Sequence, residues 1–336
     1  MKNKINVLLT KKFLPKDLDF ISKGVGEVCF YEPLEFDKNS ILTYLDKLDC
    51  SIDVIMGPPP ELEILDRLKH NLAFVQIPWS GVESLKFDDC ENLSIPVANS
   101  HGNSQSVAEM AVSLLTSIGK GIPYHDRELR NQHWHRPGSA LGFNPPRSLS
   151  GSVIGLFGYG AINQAVSKIV QGFNAQVICC SNRRVESKFI DKSYVFESDF
   201  EEFIKQCDYI VIGAPLTPRT KLVFNTKVFN LMKSNAYLIN VSRGGIVCEE
   251  SLFNILKSNG IGGAAIDTWS VSPPHANETK KISEFDFEEL DNIILSPHRA
   301  GFIEGELPHL TDVIENFNRF LNNDNLINLI NFNKGY

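Results

Sequence analysis

From one end to the other, the chain alternates short apolar runs with longer amphipathic stretches. The runs INVLLT, DVIMG, AFVQIPW, SVIGLFG, QVICCS, YIVIGAP, AYLINVS, GAAIDTW and NIILSPH are rich in Val and Ile and read as strands. Between them, INQAVSKIVQGF and EESLFNILKSNG space their apolar residues with a helical period and end near glycine. Alternation of this kind predicts parallel sheets with helices on both faces. The expected fold class is α/β, with two Rossmann-like or flavodoxin-like domains and a cleft between them.

The strands fall into two sets, one before about residue 100 and one after about residue 150. A helical stretch beginning at SVAEMAVSLLTSIG joins them, and a second long helical pattern, LPHLTDVIENFNRFLNN, follows the last strand. The closing INLINFNKGY is expected to return to the first domain and make it discontinuous. The domains are therefore predicted as 1–102 plus 303–336 and 103–302. No short solenoid period is present.

A chain of 336 residues with 43% hydrophobic and 22% charged residues can bury two real cores. Its formal net charge of -7 gives no basic field for nucleic acid or an anionic membrane, so an anionic ligand must be held by local positive groups. No apolar run approaches the roughly 20 residues of a spanning helix. The opening MKNKINVLLTKKF reads as a first strand rather than a signal peptide. The seven cysteines, Cys29, Cys50, Cys90, Cys179, Cys180, Cys207 and Cys248, contain no C-x-x-C pair, which fits a reducing cytoplasm better than a disulfide or zinc framework.

Gly158 and Gly160 stand directly after a strand and before a helix, as at the start of a dinucleotide fingerprint. The third glycine position is occupied by Asn163, so a plain structural turn remains an alternative. An NAD site normally carries an acidic residue at the end of the next strand, about 20 residues on. Here the strand ends at Cys180 and is followed by Ser181, Asn182, Arg183 and Arg184. With no carboxylate to repel a 2′-phosphate and two guanidiniums to bind one, NADP(H) is expected in preference to NAD(H); the competing reading is a solvated basic loop.

The segment from about Ser150 to Gly301 resembles the cofactor domain of the D-isomer-specific 2-hydroxyacid dehydrogenases, which include glyoxylate/hydroxypyruvate reductases and phosphoglycerate dehydrogenase. KSNAYLINVSRGGIVCEESL resembles that family's most distinctive signature and implies Arg243 as the substrate-binding arginine. NIILSPHRAG resembles the segment of the catalytic histidine and implies His298. IPVANSHGNSQSVAEMAVSLL is similar to the hinge, and FVQIPWSGVESL to the loop whose backbone amides hold the carboxylate, which implies Trp79, Ser80 and Gly81. On the cofactor side the likeness implies Val107, then Ala161 and Ile162 beside the two glycines. It further implies Pro215 and Thr220, Val241 and Ser242, Asp267, and finally Ala300 and Gly301 beside His298. A homodimer is implied as well.

The chemistry of these residue types agrees. A 2-oxo acid presents a carboxylate and a ketone in one plane, which suits an arginine fork. Hydride delivery leaves an alkoxide that must gain a proton, which suits a histidine. Singly, Arg243 could instead be a capping residue and His298 a satisfied core histidine. Where the family carries a glutamate beside its histidine this chain has Ser272, and a carboxylate could come from Glu284 or Glu304. His133 and His135 form an H-x-H pair for which no third metal ligand is suggested, so no metal is expected. Trp134 is read as pocket wall or as core. The expected function is reversible hydride transfer between NADP(H) and a small 2-oxo/2-hydroxy acid, with a dinucleotide-sensing, corepressor-like protein and an idle homologue as rivals.

Overall fold

The computed structural model describes residues 4–83, 85–136, 147–271, 279–304 and 307–332. The chain forms two compact units, Met1–Asn103 with Ile303–Tyr336, and Ser104–Phe302.

The first unit is built on a parallel sheet of β1 (Ile5–Leu9), β2 (Val28–Tyr31), β3 (Val54–Met56), β4 (Phe74–Gln76) and β5 (Val97–Ala98), in the order β2-β1-β3-β4-β5. This is the flavodoxin-like order, and the direction of winding reverses between β1 and β3. The C-terminal segment completes the unit. Helix Thr311–Asn322 buries Val313 and Phe317, and Phe317 meets Phe74 edge-on at 6.2 Å. The buried Asn316 amide donates to Gln76 Oε1 at 2.8 Å. Beyond that helix, Leu329 bridges Ala98 in antiparallel sense, and the Ile330 N–H donates to the Val97 carbonyl at 2.8 Å.

The second unit holds a seven-stranded parallel sheet: β6 (Val153–Phe157), β7 (Gln176–Ser181), β8 (Lys192–Val195), β9 (Tyr209–Ile212), β10 (Tyr237–Asn240), β11 (Gly263–Ile266) and β12 (Ile293–Leu295). Their order, β12-β11-β10-β9-β6-β7-β8, is that of a dinucleotide-binding Rossmann sheet with one more strand, reversing between β6 and β9. Successive residues of β9 feed opposite faces. Ile210 and Ile212 join a core with Phe203 and Ile204 of helix Phe196–Gln206, whereas Tyr209 and Val211 join one with Ala108, Ala111 and Leu115 of helix Ser104–Gly119. Burial on both faces is why these strands read as unbroken apolar runs.

Three strands fall outside the apolar runs picked out above. β2 is half-buried throughout, β5 is two residues long, and β8 begins with an exposed lysine. β2 and β8 are edge strands and β5 is the last strand of its ladder, so none needs a continuous apolar sequence.

At the amino edge of the second sheet, Asp208 is buried and accepts from the Val153 N–H at 2.8 Å and from Arg147 Nη1 and Lys233 Nζ, both at 3.0 Å. Burial pushes its carboxyl group upward, but these donors outweigh it and hold the group below the ordinary carboxylate value.

Candidate functional site

Ligands of open α/β sheets bind outside the carboxyl ends of the strands. In the second unit nearly all the residues singled out in the sequence gather along that edge: Gly158 after β6, Ser181 at the end of β7, Pro215 after β9, Ser242 and Arg243 after β10, Asp267 after β11, His298 after β12.

The glycine-rich turn has a left-handed residue where the chain must reverse. Gly158 has φ +82°, and a Cβ there would lie 2.7 Å from the Ala214 backbone. Gly160 precedes helix Ala161–Ile169, and a Cβ on it would meet nothing within 4 Å, so the helix start is open on that side. Ala161 is exposed and Ile162 half-buried at that helix start.

Asn163 is fully buried, and its amide donates to the Gly158 carbonyl at 2.8 Å and the Phe157 carbonyl at 3.1 Å. Room for it comes from β9's side, because a Cβ on Gly213 would sit 2.7 Å from Asn163 Cγ. Gly213 thus makes the room that Asn163 occupies beside the turn, a pairing that spacing along the chain does not reveal.

At the end of β7 the two arginines differ. Arg184 donates to the Ser193 carbonyl at 3.0 Å and lies 3.6 Å from Asp199, so it braces β8. Arg183 is exposed, and its guanidinium makes no hydrogen bond or ion pair among the described residues. The Ser181 hydroxyl donates to the Arg183 carbonyl at 2.6 Å, and Asn182 is exposed between them. In the loop after β9, the buried Thr220 donates to the Pro215 carbonyl at 2.7 Å and accepts from the Thr217 N–H at 2.8 Å.

The Arg243 loop is clamped by Asn240, a fully buried residue that the sequence reading passed over. Asn240 donates to the Arg243 carbonyl at 3.0 Å and accepts from the Ser242 N–H at 3.1 Å, while the Ser242 hydroxyl donates to the Ala214 carbonyl. Arg243 Nη1 returns to the Ser242 carbonyl at 2.7 Å. Gly244 admits no side chain, since a Cβ would lie 2.1 Å from Trp269. Val241 and Val107 are buried as packing residues. A polar residue closing the apolar run AYLINVS was the available signal for Asn240.

His298 is exposed and has φ +57°, an uncommon conformation for a side chain of its size. Asp267 holds the loop in that shape. This fully buried residue accepts from the Arg299 N–H at 2.9 Å, the Ala300 N–H at 3.1 Å and the Ser296 hydroxyl. The Ala300 carbonyl in turn accepts from Ser106 at 2.8 Å, and half-buried Gly301 follows. Ser272 lies outside the described residues. Glu284 is exposed and makes no hydrogen bond with His298 among them, and Glu304 belongs to the first unit.

In the first unit, half-buried Trp79, Ser80 and Gly81 follow β4. The Trp79 carbonyl accepts from the Ser100 N–H at 3.2 Å and the Ser80 carbonyl from the Asn99 amide at 2.9 Å. Both carbonyls are thereby turned into the protein. Lys11 Nζ sits 4.6 Å over the Trp79 ring.

His133 and His135 converge on Glu128, at 3.3 and 2.8 Å, and His135's hydrogen bond leads in lowering that carboxyl's pKa. Among the described residues no group of three His, Cys, Asp or Glu side chains could hold a metal ion. Trp134 is 84% exposed, which overturns the reading of it as core. A small cavity lined by Ile118, Tyr124, Tyr237 and Ile293 lies at the amino edge of the second sheet, away from these loops.

Residues 112–300, more than half of the chain, match the family of D-isomer specific 2-hydroxyacid dehydrogenases in their NAD binding domain. The glyoxylate reductase of Thermococcus litoralis is 29% identical over 302 residues, covering 88% of this chain and 87% of that protein. A solved D-isomer specific 2-hydroxyacid dehydrogenase from Xanthobacter autotrophicus Py2, in complex with NADPH and MES, superposes with a TM-score of 0.79 at 20% identity over 99% of both chains. The NAD-complexed enzyme of Lactobacillus delbrueckii ssp. bulgaricus gives 0.78 at 20% identity, over 98% of this chain and 100% of its own. The chain therefore belongs to the D-isomer specific 2-hydroxyacid dehydrogenases, oxidoreductases that act with a nicotinamide dinucleotide on the CH–OH group of 2-hydroxy acids.

Proposed function

We propose that this protein reduces a small 2-oxo acid to the 2-hydroxy acid, reversibly and with NADPH preferred over NADH. The observation carrying this reading is that the open glycine turn, the clamped Arg243 loop and the braced His298 loop share the carboxyl edge of one parallel sheet. When bound, the dinucleotide supplies the hydride that converts the ketone carbon to the alcohol carbon. The chain supplies the rest. Gly158 and Gly160 make room for the pyrophosphate, and Arg183 meets the 2′-phosphate. Arg243 grips carboxylate and ketone oxygens together, and the Ser80 and Gly81 amides hold the substrate carboxylate. His298 gives its proton to the ketone oxygen during reduction and takes it back during oxidation, so that 2-oxo acid, NADPH and a proton balance 2-hydroxy acid and NADP+. Relatives on this fold are complexed with either dinucleotide, so the preference rests on Arg183 and on the missing carboxylate at the end of β7.

All seven cysteines are free, which supports the cytoplasm as the compartment. Ile122 and Leu129, 54% and 56% exposed, support a homodimer, which sedimentation would check.

The test is NADPH oxidation against a panel of 2-oxo acids, with Arg243→Lys alongside. The variant keeps charge but loses the planar fork, and the hydride step should fall by about a hundredfold or more at unchanged NADPH affinity. Near-normal turnover would remove Arg243 from the reaction. Tight NADPH binding without turnover on any 2-oxo acid would favour a dinucleotide sensor.

A further inference from the structure

The first unit carries a cation for which the reaction above has no use. Lys11 follows β1, at the point where the winding of the sheet reverses between β1 and β3. Its backbone is anchored by the residue before it: the Thr10 N–H donates to the Met56 carbonyl at 3.2 Å and the Thr10 hydroxyl to the Pro58 carbonyl at 2.7 Å, both at the end of β3. The Lys11 stem then passes over Gly57. A Cβ on that glycine, which has φ +130°, would lie 2.4 Å from Thr10 Oγ1 and 3.4 Å from Lys11 Cγ. The ammonium ends 4.6 Å over the ring of Trp79, beyond β4, and 5.7 Å from the Phe13 ring. One side chain thus spans the carboxyl ends of three neighbouring strands.

A surface lysine is ordinarily a mobile, solvated charge. Here the missing side chain at Gly57 and the two aromatic faces restrict it, while its hydrogen-bond donors stay available. Lys11 has no ion pair among the described residues, whereas its neighbour Lys12 pairs with Glu32 at 2.8 Å. In a chain of net charge -7, a held and unneutralised ammonium beside the Trp79–Gly81 loop is placed to meet an anion.

We propose that Lys11 is a specificity-determining residue that recognises a second negative charge on the substrate, so that the preferred 2-oxo acids carry a distal carboxylate or phosphate. This rests on the reading of the Ser80 and Gly81 amides as holders of the common carboxylate. That carboxylate occupies the amides, and the ammonium beside the same loop addresses the far end of the substrate. A monoanionic substrate leaves it unused.

The experiment compares kcat/KM for oxaloacetate and 3-phosphohydroxypyruvate with that for pyruvate and hydroxypyruvate, in the wild type and in Lys11→Met, Lys11→Arg and Lys11→Glu. The wild type should favour the two substrates that carry a distal anionic group. Lys11→Met should lower that preference by about tenfold, mainly through KM, with Lys11→Glu lowering it further and Lys11→Arg keeping most of it. Turnover of pyruvate should stay within about twofold, as expected when an exposed charge away from the reacting atoms is removed. The larger loss, on oxaloacetate or on the phosphate ester, identifies which distal group is read. Equal losses on all four substrates would assign Lys11 to the common carboxylate and overturn the proposal. So would a preference for the distally charged substrates that survives Lys11→Met in an active reductase. Wild-type protein that reduces no 2-oxo acid would overturn the reductase reading, and this proposal with it.

Discussion

Two aspartates, one at each end of the same seven-stranded sheet, show how direction along a parallel sheet separates stability from chemistry. Asp208 at the amino edge is ringed by two cations and a backbone N–H. Its charge is matched locally, and what it fastens is the sheet itself: the start of β6, the residue opening β9 and the segment leading to β10. Asp267 at the carboxyl edge is equally inaccessible, but its hydrogen bonds come from neutral donors, a hydroxyl and two backbone N–H groups of one loop. What it fastens is the left-handed conformation of His298. A buried carboxylate with cations for partners acts on folding, whereas one whose partners are loop amides shapes what that loop presents.

The contrast breaks most visibly at Asp267. Asp267→Asn keeps the shape but turns an amide toward at least one of the N–H donors it now accepts from. Because displacement of a reacting group by about 1 Å can cost a hundredfold, kcat should fall by about that factor while the protein remains folded. A variant within about twofold of wild-type kcat would show that the loop keeps its shape unaided.

Asp208→Asn should behave in the opposite way, with kcat nearly unchanged and stability reduced by about 1.5–3 kcal/mol, as for lost hydrogen bonds to a charged group. The sign with pH follows from its depressed pKa. A carboxylate held below its ordinary value of 3.8 stabilises the fold fully above that value and loses the contribution as pH falls through the lower, folded one. Urea unfolding between about pH 3 and 6 should therefore show a steep acid decline in the wild type and a flatter one in the variant. Equal slopes would mean that Asp208 is not what links the fold to acid.

The smallest effect sharpens the comparison at the edge of β7, where one arginine serves structure and its neighbour faces solvent. Arg183→Ala should weaken NADPH binding by about tenfold and leave NADH binding unaltered. Arg184→Ala should cost some stability at β8 and less selectivity. If Arg184→Ala instead removes the NADPH preference, the two roles are exchanged.

Much of this was legible along the chain. Strands buried on both faces must be apolar throughout, so β6, β9, β10 and β11 announce themselves, and a glycine between strand and helix marks the turn at Gly158 because only glycine takes that conformation without strain. Arg243 was visible because it follows such a strand and His298 because it follows the apolar run of edge strand β12, and in a parallel sheet every strand delivers its following loop to the same edge. Edge strands escaped notice for the complementary reason: β2 and β8 meet a neighbour on one side only and can be part polar.

Local pattern is silent on which distant residues meet. Gly213 makes room for Asn163, Asp267 reaches 29 positions along the chain to Ser296, Arg184 turns to β8 while Arg183 does not, and Lys11 comes to rest on Trp79. The sequence alone determined the elements, the turn and the residue types suited to hydride transfer, because propensity and periodicity act over a few residues. The partners of those residues were decided only by the tertiary structure, because the order in which strands pair brings together side chains that no local rule connects.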